Sequence, residues 1–479
     1  MKFSDLKLTT PYLQNEAIFY DVLDPRPLDN PFLISVSQDA AKLLGVDEDL
    51  LDDEKLLGIV NGSLKMEGSS PFAMCYAGHQ FGHFVPRLGD GRVLNLGKVN
   101  GVNLQLKGSG ITLYSRGGDG RAVLRSSIRE YLMSEAMHGL GIKTSRALAL
   151  IGSDTDVSRQ TIEKGAIVLR LASTWIRFGS FEFFNAAREP KLLQDLADYA
   201  LAESFPHLVG QEDSYLKMFA EIVKSTAKTI AYWMSVGFNH GVMNTDNMSI
   251  DGSTIDYGPF AFLDDYEAYY ICNHTDTAGR YSFVSQKGIG YWNLEKLARA
   301  LSPILNHEAS MLVLENVYYE AYDDAYLKRM RARLGLFTED PRDMILTNQL
   351  LSSMENSSID FNLFFRRLSS YDGNKSLILD IAVSRAPLER WLDFYDARLL
   401  KEEASQEKRH SQMLGVNPKY ILKNHILQLA IDKANENDFS MVNDLLKVAL
   451  SPFEEHEDLE YLCINTPQDA KNIKLSCSS

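Results

Sequence analysis

Residues 240–260, HGVMNTDNMSIDGSTIDYGPF, restrict what this 479-residue chain can fold into more than any other stretch. A polar loop carrying Asp246 and Asn247 runs into Met-Ser-Ile, then Asp251-Gly252, then Ser-Thr-Ile and Asp256-Tyr257-Gly258. Asp-Gly between two β-prone triplets signals a tight hairpin, because both central residues of such a turn must accept positive φ. Folding back there would bring Asn247 at the entrance near Asp256 at the exit. One amide oxygen and one carboxylate suit Mg2+, which takes few protein ligands and relies on phosphate and water for the rest. The competing reading is a polar turn with a helix cap, which this composition also allows.

The pair resembles the metal-binding half of a protein-kinase site, where a catalytic-loop Asn and the Asp of Asp-Phe-Gly hold the metals. Asp256-Tyr257-Gly258 stands where Asp-Phe-Gly would. In that pattern the base Asp lies five positions before the Asn, and here position 242 is Val. A Val cannot accept a proton. A different carboxylate, Asp246, immediately precedes Asn247.

Length and a 45% hydrophobic content allow a large core and suggest two or three domains. With 49 Lys and Arg against 64 Asp and Glu, the net charge is −15. That argues against a nucleic-acid partner but leaves room for a local basic cleft around a nucleotide. No run of 18 apolar residues occurs, so no membrane segment is expected. The start, MKFSDLKLTT, lacks the features of a signal or transit peptide, and a cytoplasmic protein is expected. Cys75, Cys272, Cys463 and Cys477 are too few and too scattered for a disulfide scaffold.

Residues 1–70 are of mixed pattern and carry no assignable chemistry. In PFAMCYAGHQFGH (71–83), His79 and His83 stand four apart. On a helix they would share a face and could bind a metal with Cys75, but Gly78 and Gly82 favour a packed turn. Gly89-Asp90-Gly91-Arg92 precedes an apolar run; such a turn lets the backbone approach phosphate closely, with Arg92 supplying charge. VNLQLK (102–107) alternates as a half-buried strand should, which puts Lys107 on the face opposite Val102, Leu104 and Leu106. A strand lysine across from a Gly-rich turn is how kinase-like folds hold phosphates.

YSRGGDGR (114–121) reads as a Gly-rich loop whose Asp119-Gly120-Arg121 caps a helix from Arg121 to Leu140. Leu124, Ile128, Leu132 and Ala136 mark its core stripe. Glu130 lies off that stripe and could pair with Lys107, with Glu135 as a rival. Two strands follow, Arg146 to Gly152 and Ala166 to Leu171. Arg170 and Arg177, amid aromatic residues, suit a bidentate grip on phosphates. From residue 190 the pattern turns helical: Lys191–Ser204, Tyr215–Val236, then segments from Trp292 to about Leu450. Among these, 400–410 reads as a solvated helix face and 417–434 as an amphipathic helix. A polar linker, ICNHTDTAGRYSF, follows Phe260.

Taken in order, these blocks make the chain similar to the selenoprotein O family of pseudokinases. The matching motifs include AGHQFG (77–82), LGDGR (88–92), LKGSG (106–110), YSRGGDGRAVLRSSIRE (114–130), NHGVMNTDNMS (239–249), IDYGPF (255–260) and NPKY (417–420). The resemblance implies an α+β, bilobal protein-kinase-like fold: an extension (1–70), a mixed α/β N-terminal lobe (71–175) and a large, mainly helical C-terminal lobe (176–479). It implies a protein adenylyltransferase that binds ATP in the reverse sense to kinases and moves AMP onto Ser, Thr or Tyr hydroxyls of proteins. Gly89, Gly91, Arg92, Lys107, Asp119, Gly120, Arg170, Arg177 and Asp256 would then hold the nucleotide. Asn247 and Asp256 would ligate Mg2+ or Mn2+, Glu130 would support Lys107, and Asp246 would be the general base. Val242 becomes a family trait. Cys477 stands at the family's selenocysteine position, with Cys272 as its implied redox partner.

An Asp at its ordinary pKa of ~3.9 is ionised at neutral pH and can take the hydroxyl proton. Two alternatives stay open: γ-phosphoryl transfer with Asp246 as the base, and a non-catalytic nucleotide-binding pseudokinase. The expected partners are ATP and protein substrates, and the expected state is a monomer.

Overall fold

The computed structural model describes residues 1–463, 465–471, 473 and 475–476. Ten strands lie before residue 173: β1 (Tyr20–Val22), β2 (Phe32–Val36), β3 (Phe72–Met74), β4 (Gly78–Gln80), β5 (His83–Val85), β6 (Val93–Val99), β7 (Val102–Lys107), β8 (Ala122–Val123), β9 (Arg146–Ser158) and β10 (Ile162–Ala172). All but β4 and β5 join one antiparallel sheet, ordered β1-β3-β6-β7-β10-β9-β2 with β8 added against β10. The chain is thus mixed α/β, with a sheet-bearing first part and a helical second part.

The period-2 alternation of β7 sorts its side chains between two environments. Leu104 and Leu106 join a small core with Phe3, Leu44 and Val60 from the first 70 residues. Gln105 and Lys107 point the other way and are buried against polar partners. Across that second face lies helix α1 (Leu124–Gly139). Its expected stripe of Leu124, Ile128, Leu132 and Ala136 is buried, and so are Glu130 and Glu135.

The second part begins with α2 (Phe178–Ala186) and α3 (Ser214–Ser235), followed by α4 (Gln286–Leu301) and α5 (His307–Arg333). Between α3 and α4 runs the site loop, framed by a two-stranded ladder of β11 (Phe238–Asn239) and β12 (Ala261–Phe262). Near the C-terminus, α6 (Asn424–Asn435) and α7 (Ser440–Leu450) return to pack on α1. Among the described residues no helix is long and apolar enough to cross a membrane.

Several expectations are corrected. Helix α1 starts at Leu124, because Ala122 and Val123 pair with Ala166 and Gly165 of β10, and its N-cap is Val123 without a side-chain bond. Strands β9 and β10 run longer than their apolar runs, since their distal halves pair as an exposed ribbon. Helix α6 starts at Asn424, not 417: Asn417 is buried, accepting from Arg333 Nε at 2.9 Å and donating to Arg333 O and Ser369 Oγ. In 400–410 only the part from Gln406 is helical, and Glu402 is tied down by Arg398 Nη1 at 2.7 Å and by Thr338. The stretch after Phe260 is no loose linker, for Cys272, Asn273 and Asp276 are buried.

Glu135 is fully buried, accepting from Ser37 Oγ (2.6 Å), Arg146 Nε (2.8 Å) and Nη2 (2.6 Å), and Ala147 N (3.0 Å). Replacing it leaves a buried guanidinium short of its main partner. Glu135→Ala should cost about 3–5 kcal/mol, read as a lowered denaturant midpoint at unchanged m.

Candidate active site

Between the sheet and the helical part lies a small cleft, lined among others by Arg92, Lys107, Glu130, Arg159 and Asp256. Lys107 stands at its centre, its Nζ 2.5 Å from Glu130 Oε2 and 3.0 Å from Asp256 Oδ1. Sheet, helix and site loop therefore meet at one ammonium. The rivalry between Glu130 and Glu135 ends there, since Glu135 is spent on Arg146.

Arg170 lies one layer back. It donates to Glu130 Oε1 at 2.7 Å, to Ile255 O at 3.0 Å and to Gln105 Oε1, and is stacked on Trp175. It is not among the residues lining the cleft. Arg177 is also buried, donating to the Asp246 carbonyl at 3.1 Å and lying over the Tyr76 ring. Arg92 lines the cleft, at the end of a turn in which Gly89 has φ +74 and packs on Tyr114, and the Gly91 carbonyl accepts from Ser115 Oγ. Asp119 takes a bidentate bond from Arg159 at 2.7 and 3.0 Å, and Gly120 packs on Gly110.

The loop 246–254 folds back as expected, but not as a two-residue Asp-Gly hairpin. Met248 bridges Thr254 across five residues, and although Gly252 has φ +78, Asp251 is not left-handed. The reason is the Asp251 carboxylate, which accepts from Ser249 Oγ (2.8 Å), Ser253 N (2.9 Å) and Ser173 Oγ (2.5 Å) and pairs with Lys143. Those bonds close a wider turn.

Asp246 is buried under the β4–β5 hairpin. Its Oδ2 accepts from Gln80 Nε2 at 3.2 Å, whereas its Oδ1 is buried with no partner among the described residues. Burial pushes this carboxyl up to about 6, partly opposed by Gln80 and Arg177. The base candidate is thus less acidic than its residue type suggests. Burial also raises Asp256, but Lys107 and Arg92 outweigh it and hold Asp256 well below the ordinary range. His240 is pushed down to about 4 by burial and is neutral at physiological pH. Two carboxyls of one loop are thereby driven in opposite directions, a pattern that separates a proton acceptor from a permanent anion.

A protein-family model described as Protein adenylyltransferase SelO matches residues 2–449. The chain belongs to the SelO family. Similar relatives include the protein nucleotidyltransferase YdiU of Myxococcus xanthus, 44% identical with 99% of each chain covered. That of Pseudomonas fluorescens strain Pf0-1 is 46% identical over 95% of each, and that of Aliivibrio fischeri strain MJ11 is 45% identical over 100% of this chain and 99% of its own. Membership implies a nucleotide substrate and protein targets.

In this SelO chain, no group of three or more His, Cys, Asp or Glu side chains among the described residues could hold a metal alone. His79 and His83 share no helix face: they sit on a β-hairpin, His79 bound to Glu182 Oε1 at 2.9 Å and His83 exposed. Asn247 and Asp256 are donor types that a hard divalent ion takes; Asp256 lines the cleft, whereas Asn247 lines a separate small cavity with Thr229, Trp233 and Ser253. Asn247 is oriented by its Nδ2, which donates to the Val242 carbonyl at 3.0 Å, so the residue standing at the kinase base position serves through its backbone. Cys272 is buried, its Sγ 2.8 Å from Pro259 O; Cys477 lies outside the described residues. Sequence patterns missed Arg159, which reaches the cleft from the β9–β10 turn, and the partners of the base loop, Gln80 and Glu182. Neither spacing nor composition marks these residues.

Because folding raises the Asp246 pKa from 3.8 to about 6, its contribution to stability is complete below 3.8 and is lost as pH rises through 6. In metal-free protein, Asp246→Asn should therefore gain on the parent by about 2.5 kcal/mol between pH 4 and pH 8. Urea unfolding of both chains at each pH checks the difference, and a pH-independent gap would rule out a raised pKa.

Proposed function

We propose that this chain is a protein adenylyltransferase that moves AMP from ATP to Ser, Thr or Tyr hydroxyls of proteins. The observation that carries the reading is the buried Oδ1 of Asp246, without a partner among the described residues, on a carboxyl close enough to feel the charge of the cleft-lining Asp256. The acceptor hydroxyl attacks the α-phosphorus, the bond to the bridging oxygen breaks, and Asp246 takes the hydroxyl proton as pyrophosphate leaves. Near-neutral basicity suits that role, since a base titrating close to working pH combines ionisation with driving force. Lys107, Arg92 and Arg159 offset charge on the triphosphate. Lys107 is released to it only if Glu130 and Asp256 share its charge.

Mg2+ or Mn2+, held by Asn247 and Asp256, would supply further positive charge at the phosphate oxygens. The nucleotide lies reversed relative to kinases, its γ end deeper, in keeping with the family resemblance. We read the sheet-bearing part and the helical part as the two lobes of a kinase-like fold. Arg170 then acts through Glu130, and Arg177 through the backbone of the base loop.

A redox tie between Cys272 and Cys477 is part of this reading. It is supported by the tail: Leu475 bridges Asn273, and His274 N donates to Leu475 O at 2.9 Å, alongside Cys272.

Incubation with Mg2+ and ATP labelled at either the α or the γ phosphorus tests the activity. Protein-bound α label is expected. Label from γ alone would make the chain a kinase, and nucleotide binding without transfer a non-catalytic pseudokinase. Asp246→Asn should lower kcat by about 10²–10⁴-fold with nucleotide affinity retained.

A further inference from the structure

The hairpin of β4 and β5 contributes nothing to the cleft lining, yet it is built onto the base loop at every polar point. His79 N donates to Thr245 Oγ1 at 2.7 Å, and Thr245 Oγ1 donates to Glu182 Oε2 at 2.8 Å. Glu182 Oε1 is bound in turn to His79 Nδ1 at 2.9 Å, closing a ring of three residues. At the hairpin turn, Phe81 N donates to Asn244 Oδ1 at 3.2 Å and Tyr281 OH at 3.0 Å. The root of the hairpin is fixed to α2 by Ala77 N donating to Gly179 O at 3.0 Å. A two-stranded ribbon of three-residue strands has little stability of its own. Its bonds to residues 244–246 hold it, and it holds them.

Two features act on the base carboxylate itself. Gln80 Nε2 engages Oδ2 at 3.2 Å, and Oδ1 has no partner among the described residues. At Gly78, an added Cβ would lie 2.6 Å from Oδ1, so only glycine leaves that oxygen its space. The geometry points to Gln80 as a positioning residue for the transfer reaction: its amide holds Asp246 Oδ2 and so fixes the carboxylate with Oδ1 left to take the acceptor proton. This rests on the reading of Asp246 as the base. An amide suits the task, since it donates to one oxygen without neutralising the carboxylate as a lysine would.

The test compares Gln80→Leu, which removes the donor at similar size, with Gln80→Glu, which sets an acceptor against Oδ2. Both are measured for α-label transfer and for affinity of a non-hydrolysable ATP analogue, beside the parent, Asp246→Asn and Gly78→Ala. The expected order of kcat is parent, then Leu about tenfold lower, then Glu lower still, with analogue affinity within about twofold throughout. Gly78→Ala should lose kcat in the same way, because its methyl displaces Oδ1. A merely structural role for Gln80 predicts that Leu and Glu behave alike, or that analogue affinity falls with kcat; either result overturns the assignment. If Asp246→Asn is inactive while both Gln80 variants match the parent, Gln80 alone is overturned. If Asp246→Asn transfers as fast as the parent, the base and its clamp both fall.

Discussion

Glu130 divides its two oxygens between Lys107 in front and Arg170 behind, and the site depends on that division. A lysine buried to this depth is stable only with an anion at hand, and Asp256 supplies the second. Because the three groups come from strand β7, helix α1 and the site loop, the ion network sets the distance between the parts of the chain. Arg170 holds one Glu130 oxygen, which leaves the Lys107 ammonium shared between Glu130 and Asp256. The same network depresses Asp256 and so preserves a permanent anion in the cleft.

Asp246 is governed by the opposite physics. Among the described residues it has no ion-pair partner at contact distance, and it lies beneath a small hairpin, so desolvation dominates. Its one side-chain donor is the Gln80 amide, and the nearby Arg177 guanidinium bonds its carbonyl and only partly opposes the effect of burial. The site loop thus carries two aspartates ten residues apart, one stabilised by cations and the other raised by burial. The intervening turn, organised by Asp251, brings the chain back so that the two carboxyls feel each other's charge.

Much of this was legible in residue patterns. The alternation of 102–107 assigned Lys107 to the polar face, and the stripe of Leu124, Ile128, Leu132 and Ala136 located α1 within a few residues. Patterning failed where long-range pairing outranked local preference. Ala122 and Val123 left the helix for a ladder with β10. Asp251-Gly252 abandoned a two-residue turn because a carboxylate found hydroxyls from Ser249, Ser253 and the distant Ser173. Asn417, a plausible helix start, was claimed by the buried Arg333.

What the chain's order of residues determined by itself is the inventory: which strand carries a lysine, which loop carries an amide between two acids, and which motifs place it in the SelO family. Those features are local, encoded by periodicity and by turn chemistry. Only the tertiary structure decided that Glu130 rather than Glu135 meets Lys107, that Arg170 stands behind the cleft, and that Gln80 lies against Asp246. These choices join residues 23 to 166 positions apart in the chain, and burial and hydrogen-bond satisfaction make them once the parts are packed, leaving no period or spacing in the sequence by which to read them.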